Sequence, residues 1–217
     1  MSSSKEAQAL GRAEFWDERY AKADGDKPTH EWFRAFSALE PFFEKRFFSA
    51  RAEAGKGQRV LHLGSGDSTV PYDLLSRGYT NQLCLDFSTV VVEAMKSRHS
   101  DKPQVEWQVS DVRDMSGIAS KSVDVAFDKG TLDAMIYGSP WSPPDEVLEN
   151  SGRYMKEVMR VLKDDGIFLY ITYRQPHFIK PIVNRDGEWD LEMEVMGDGD
   201  SFEYFGFVMR KGGKKVA

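Results

Sequence analysis

Four short apolar runs in this sequence each stop at glycine or aspartate. Arg59-Val-Leu-His-Leu63 leads into Gly64-Ser-Gly66-Asp-Ser68, and Gln82-Leu-Cys-Leu leads into Asp86. Val105-Glu-Trp-Gln-Val109 is followed by Ser110-Asp111, and Val123-Asp-Val-Ala-Phe127 by Asp128-Lys129. Glycines let the backbone turn sharply and let a ligand approach it closely. Asp86 stands twenty residues beyond Gly66, the distance at which a carboxylate can accept both ribose hydroxyls of an adenosine. Asp111 sits where a carboxylate or its neighbouring backbone reads an adenine amino group. The chemistry these positions suggest is recognition of an adenosine-containing ligand.

The kind of adenosine is narrowed by what the glycine turn lacks. A dinucleotide fingerprint G-x-G-x-x-G fails because Thr69 occupies its third glycine position, and no G-x-x-x-x-G-K-[ST] phosphate loop occurs. A ligand without phosphates, S-adenosylmethionine, suits a site offering carboxylates and few cations. Gly64-Ser65-Gly66 does not form G-x-S-x-G, so a serine hydrolase elbow is unsupported. His30, His62, His99 and His177 are scattered without metal-ligand spacing, and no metal site is expected.

The elements that must position these residues follow from periodicity. Phe33, Phe36, Leu39, Phe43 and Phe47 recur at three- and four-residue steps, predicting an amphipathic helix from Glu31 to about Phe48. Strands are predicted over 59–63, 82–86, 105–109, 123–127 and 166–172, the last apolar enough to be buried on both faces. Helices are predicted from the glycine turn to about Arg77, from Ser88 to about Arg98, and from about Ser151 to Leu162. Strand and helix alternating at this spacing predict a parallel sheet covered on both sides. Trp189-Asp-Leu-Glu-Met-Glu-Val195 and Phe202-Glu-Tyr-Phe-Gly-Phe-Val-Met209, separated by Gly197-Asp-Gly-Asp200, read as an antiparallel hairpin at one sheet edge. Residues 1–14 are expected to be a flexible amino-terminus, 15–217 one domain, and Lys211-Gly-Gly-Lys-Lys a solvated tail.

Composition sets outer bounds. The 217 residues are 41% hydrophobic and 29% charged, ordinary for one large globular domain. Lys plus Arg number 29 against 35 for Asp plus Glu, a formal charge of −6. That sign argues against nucleic acid or an anionic membrane as the main partner, because both need a basic footprint. Cys84 is the single cysteine, which excludes a disulfide framework, a thiolate zinc cluster or a dithiol pair and fits a reducing compartment. Neither a secretory core nor a membrane-length apolar window is evident, so a soluble cytoplasmic protein is expected.

From about Phe15 to Gly213 the chain resembles the class I, seven-β-strand methyltransferases. It is similar in particular to the methyltransferase-like branch that modifies elongation factor 1A. The residues that carry this are Phe15-Trp-Asp-Glu-Arg-Tyr20, Glu31-Trp-Phe33, Leu63-Gly-Ser-Gly-Asp-Ser68, Ser88-Thr-Val-Val-Val92 with Met95 and Arg98-His99, and Ser110-Asp-Val-Arg113. They continue with Asp128-Lys-Gly-Thr-Leu-Asp-Ala134, Pro176-His-Phe178 and Met209-Arg-Lys-Gly-Gly213. The Lys-Gly-Thr-Leu-Asp-Ala string is specific to that branch, whereas the glycine turn is shared across the superfamily.

The resemblance implies a Rossmann-like α/β fold of seven mostly parallel strands with a carboxy-terminal antiparallel hairpin. It also implies S-adenosylmethionine as cofactor, with S-adenosylhomocysteine as product. Gly64, with Gly66, would lie under the methionine part, Asp86 and Phe87 on the ribose side, and Asp111 with Val112 at the adenine. Lys129 would line the same pocket, and Trp16, Tyr20 and Trp32 would fold over the cofactor, where aromatic faces favour a sulfonium. Asp128 is expected to orient the incoming ammonium, Tyr173 is a second catalytic candidate, and His62 is read as a strand residue. The implied activity is lysine methylation of elongation factor 1A by a monomer. Transfer to another protein group or a small molecule, and a non-catalytic cofactor-binding scaffold, remain open from the sequence. Substrate selection is expected in the loop Tyr137-Gly-Ser-Pro-Trp-Ser-Pro-Pro144 and the terminal hairpin.

Overall fold

The computed structural model describes residues 4–22, 31–197 and 203–212. In chain order the helices are α1 (Ser4–Ala9), α2 (Ala13–Ala21), α3 (Phe36–Phe43), α4 (Val70–Ser76), α5 (Thr89–Arg98), α6 (Thr131–Met135), α7 (Asp145–Val161) and α8 (Pro176–Val183). The strands are β1 (Val60–Leu63), β2 (Gln82–Asp86), β3 (Val105–Val109), β4 (Val123–Lys129), β5 (Leu162–Thr172), β6 (Trp189–Met196) and β7 (Tyr204–Lys211).

They form one sheet in the order β3-β2-β1-β4-β5-β7-β6. β1 to β5 are parallel, while β7 runs antiparallel between β5 and β6. The chain leaves β1 toward β2 and β3, then returns to the other flank of β1 as β4. That reversal opens a crevice at the carboxyl ends of β1 and β4, where ligands bind in open α/β sheets.

Every residue of β1 and β2 is buried, as a parallel sheet covered by helices on both faces requires. Successive strand residues serve opposite faces. Leu61, Leu63, Phe168 and Tyr170 join the core under α7 and α8, whereas Val60, Val125, Phe127, Leu169 and Ile171 join the phenylalanine-rich core under α3 and α4. A third cluster, Cys84, Val91, Val92, Met95, Val105 and Trp107, seats α5 against β2 and β3.

Several boundaries differ from the sequence reading. The helix predicted from Glu31 forms only over Phe36–Phe43 and continues as a π-helical turn over Glu44–Phe48. Residues 31–35 are held out of it by side-chain and carbonyl contacts with β4 and the β1 turn. α7 starts at Asp145, where Pro144 precedes it and Asp145 and Glu146 favour the positive helix end. Inside the stretch expected to be flexible, α1 forms. The hairpin strands are present, but most of the predicted Gly/Asp turn and of the tail fall outside the described residues.

Candidate active site

The site is built on the turn that ends β1. Gly64 and Gly66 take φ +61° and +55°, backbone that side chains seldom adopt. At Gly64 a Cβ would overlap the Thr131 side chain, whose Oγ1 donates to the carbonyls of Leu63 at 2.7 Å and Gly64 at 3.0 Å. At Gly66 a Cβ would stand 2.6 Å from the Tyr20 hydroxyl. The glycines therefore admit α6 on one side and α2 on the other.

Asp86 closes β2 and is 5% exposed. Its Oδ2 accepts the Gly66 N–H and its Oδ1 the Ser88 N–H, both at 2.9 Å. Burial pushes its carboxyl up to about 6, against the pull of those two donors. Each oxygen keeps acceptor capacity toward the cavity. Asp111, beyond β3, is clasped by Arg113, whose Nε and Nη2 donate at 2.9 and 2.6 Å. Burial opposes its charge, but the Arg113 donors outweigh burial and hold the carboxyl below its usual range.

An aromatic arm covers this edge. Trp16 stacks on Tyr20 with centroids 5.8 Å apart and meets Trp32 edge-on at 5.8 Å. The Trp16 indole donates to the Leu10 carbonyl at 2.7 Å. α2 is pinned to α5 because Ser88 Oγ donates to Asp17 Oδ1 at 2.5 Å while also capping α5. Burial raises the Tyr20 hydroxyl pKa, and Asp86 and Asp67 add to the shift, so Tyr20 is neutral. Glu31 reaches the β1 turn, accepting from Ser68 Oγ at 2.9 Å and Thr69 N at 3.1 Å. Lys129 then ties the arm down, donating to Glu31 Oε1 at 2.5 Å and to the Trp32 carbonyl at 2.7 Å.

All of this converges on one cavity. Trp16, Tyr20, Trp32, Gly64, Gly66, Asp86, Phe87, Asp111, Val112 and Lys129, the positions expected on the cofactor side, all line it, and so does Tyr173. Asp128 does not. It is fully buried, with Oδ1 accepting the Thr131 N–H at 2.8 Å and Oδ2 accepting the Leu132 N–H at 3.0 Å and the Tyr154 hydroxyl at 2.6 Å. These contacts cap α6 and anchor α7 from beneath, so the structure does not bring Asp128 to the cavity wall, where it was expected to meet the incoming ammonium. His62 lines the cavity but stays neutral, its pKa lowered to about 4 by burial, and its Nε2 is 2.7 Å from Gln82 Oε1.

Sequence reasoning passed over Phe33, Asp67, Thr131 and Asp133, which also line the cavity. Asp133 is held by the Tyr170 and Thr172 hydroxyls at 2.8 and 2.6 Å and by Arg174 at 3.3 Å. The Lys-Gly-Thr-Leu-Asp-Ala string was the signal for Thr131 and Asp133. Asp67, Asp86, Asp111 and Asp133 bring four carboxylates to the wall. Among the described residues its two lining cations, Lys129 and Arg113, are each engaged by a carboxylate. Such a wall suits a cationic or hydroxylated ligand and disfavours a polyphosphate. Among the described residues no cluster could hold a metal ion, and no helix is long and apolar enough to cross a membrane.

Comparison with known proteins agrees with this chemistry. A methyltransferase-domain family profile matches residues 61–170. The EEF1A lysine methyltransferase 4 of Bos taurus is 34% identical over 202 residues, covering 92% of this chain and 75% of that protein. Its Mus musculus counterpart is 33% identical over 204 residues, covering 93% and 76%. The solved Burkholderia thailandensis 1,6-didemethyltoxoflavin-N1-methyltransferase, with bound 1,6-didemethyltoxoflavin and S-adenosylhomocysteine, shares the fold. Its TM-score is 0.63 at 16% identity, over 98% of this chain and 92% of that one.

Proposed function

Because this chain belongs to the methyltransferase-domain family and uses S-adenosylmethionine, we propose that it methylates a lysine side chain of translation elongation factor 1A. The observation that carries the reading is the convergence of the β1 glycine turn, the Asp86 carboxylate and the aromatic arm on one acidic cavity. The chain that builds it is 34% identical to an elongation factor 1A lysine methyltransferase over 92% of its length.

The residues present fit the cofactor. Asp86 would take the ribose hydroxyls through the lone pairs its two backbone donors leave unused. Gly64 and Gly66 would sit beside the methionine part, and Phe87, Asp111 and Val112 would border the adenine. Trp16, Tyr20 and Trp32 would exclude water and place aromatic faces near the positive sulfur, each such contact worth about 0.5 to 2 kcal/mol. The cofactor supplies an electrophilic methyl on a good leaving group, so the protein's task is orientation and a neutral acceptor amine.

The acceptor amine would have to meet that methyl deprotonated, its surplus proton passing to solvent. Tyr173, half exposed at the cavity rim, would border the acceptor. No step requires Asp128, whose oxygens face the core. The setting of this substrate is the cytoplasm, and a basic protein partner suits the −6 charge.

Incubation of the protein with labelled S-adenosylmethionine and purified elongation factor 1A, followed by peptide mass spectrometry, tests the reading. A gain of one or more methyl masses on a lysine is expected. Label appearing only in small molecules of a lysate, or cofactor binding with no transfer to any protein, would overturn it.

A further inference from the structure

Phe33 is the centre of a three-residue turn. Its φ is +64°, and the Arg34 N–H donates back to the Trp32 carbonyl at 2.9 Å. The same carbonyl accepts from Lys129 at 2.7 Å. For a bulky side chain this backbone is rare and strained, and it persists where surrounding contacts impose it. What the turn secures is the placement of one ring.

That ring packs on Gly130, where a Cβ would lie 3.1 Å from its Cζ. It meets Tyr173 edge-on at 5.5 Å and Tyr204 at 5.6 Å. Arg34 lies over Tyr204 at 5.0 Å and Arg174 over Tyr173 at 5.3 Å, bracing both neighbours. Phe33 and Tyr173 line the cavity. Gly130, Tyr173 and Tyr204 stand at the ends of β4, β5 and β7, whereas Asp86 and Asp111 stand at β2 and β3, across β1 in the sheet order. Phe33 and Tyr173 thus line the cavity on the β4 and β5 side, across β1 from Asp86 and Asp111.

We propose that Phe33, backed by Tyr173, is the specificity-determining wall of the acceptor channel. This rests on the lysine reading above. A flat ring offers apolar surface to the methylene stem of a lysine and a favourable face to its head. In-line displacement tolerates little lateral play, so a ring fixed by a strained turn serves it better than a mobile one.

The test compares full-length Phe33→Ala, Phe33→Leu and Phe33→Gly with wild type. It reads KM and kcat for elongation factor 1A, S-adenosylhomocysteine affinity by calorimetry, and melting temperature. Phe33→Ala should raise KM for the protein substrate by about tenfold or more, with Phe33→Leu between and cofactor affinity unchanged. Phe33→Gly should melt above Phe33→Ala, because glycine adopts the positive φ freely. Cofactor affinity that weakens in step with KM would assign the ring to the cofactor side and overturn the proposal, as would an unaltered KM. Wild-type protein that transfers nothing to lysine would remove the earlier reading and this one with it. Wild-type transfer with Phe33→Ala indistinguishable from it would remove this one alone.

Discussion

The ammonium nitrogen of Lys129 lies 2.5 Å from the Glu31 carboxylate, with the two side chains 5% and 19% exposed. The pair joins the end of β4 to the aromatic arm, and burial draws the Lys129 ammonium below its usual range even against the pull of Glu31. Lys129→Met leaves Glu31 bonded to Ser68 and Thr69 but without its cation. Breaking one side of a nearly buried pair should cost on the order of 2 to 4 kcal/mol, a fall of roughly 5 to 15 °C in melting temperature. S-adenosylhomocysteine affinity should fall with it, because Trp32 loses its tether. Thermal scanning and calorimetry check both; a variant that melts and binds like wild type would show that the pair does not hold the arm.

Cofactor affinity should depend on pH through Asp86. Burial raises its carboxyl from 3.8 to about 6 in the folded chain. Its contribution to folding stability is therefore full below about 3.8 and lost as pH rises through about 6. Ligand binding runs the other way, since ribose hydroxyls donate to the ionised form. Calorimetry with S-adenosylhomocysteine should show affinity rising about tenfold per pH unit below that point and flat above it. Asp86→Asn should bind weakly at every pH, because its amide would turn an N–H toward the Gly66 or Ser88 N–H. A wild-type affinity constant from pH 5 to 8 would contradict the assignment.

Asp128→Asn should behave as a stability variant. The amide would face Thr131, Leu132 and Tyr154, all donors, at a cost of about 2 to 3 kcal/mol. Burial, with Asp133 adding to it, pushes the Asp128 carboxyl up to about 7 despite those donors, so its contribution to stability is lost as pH rises through about 7. The melting temperature should drop, whereas kcat per folded molecule and cofactor affinity change little. A large loss of kcat at an unchanged melting temperature would return Asp128 to the chemistry.

The contrast between Asp128 and Lys129 marks how far the sequence was legible. Apolar runs and their stops sufficed to find β1 to β5 and to set Asp86 and Asp111 at strand ends, because an open parallel sheet exposes that edge. Strand alternation also held the answer for Asp128. Val125 and Phe127 face the α3 side and Lys129 follows them to the cavity, whereas Ala126 faces the α7 side and Asp128 follows it into the core. Phe33 was not legible in its present role: its helical spacing with Phe36 and Leu39 is real, yet contacts from Glu31 and Trp32 to β1 and β4 outweigh helix propensity there. The same holds for α6, five residues long and capped by a buried carboxylate that no local pattern reveals.

The clearest test of the arm's closure pairs Gly66 with Tyr20. A Cβ at 66 would lie 2.6 Å from the Tyr20 hydroxyl but 3.6 Å from the ring carbon that bears it. Gly66→Ala should therefore push the arm off the turn and weaken S-adenosylhomocysteine binding. Tyr20→Phe removes only the oxygen and should leave the stack on Trp16 in place. The double variant Gly66→Ala/Tyr20→Phe should recover much of the lost affinity, because the new methyl then meets ordinary van der Waals distance. Recovery should remain partial, since alanine at φ +55° still carries about 1 kcal/mol of backbone strain. A double variant no better than Gly66→Ala would place the whole effect in the turn and none in the arm above it.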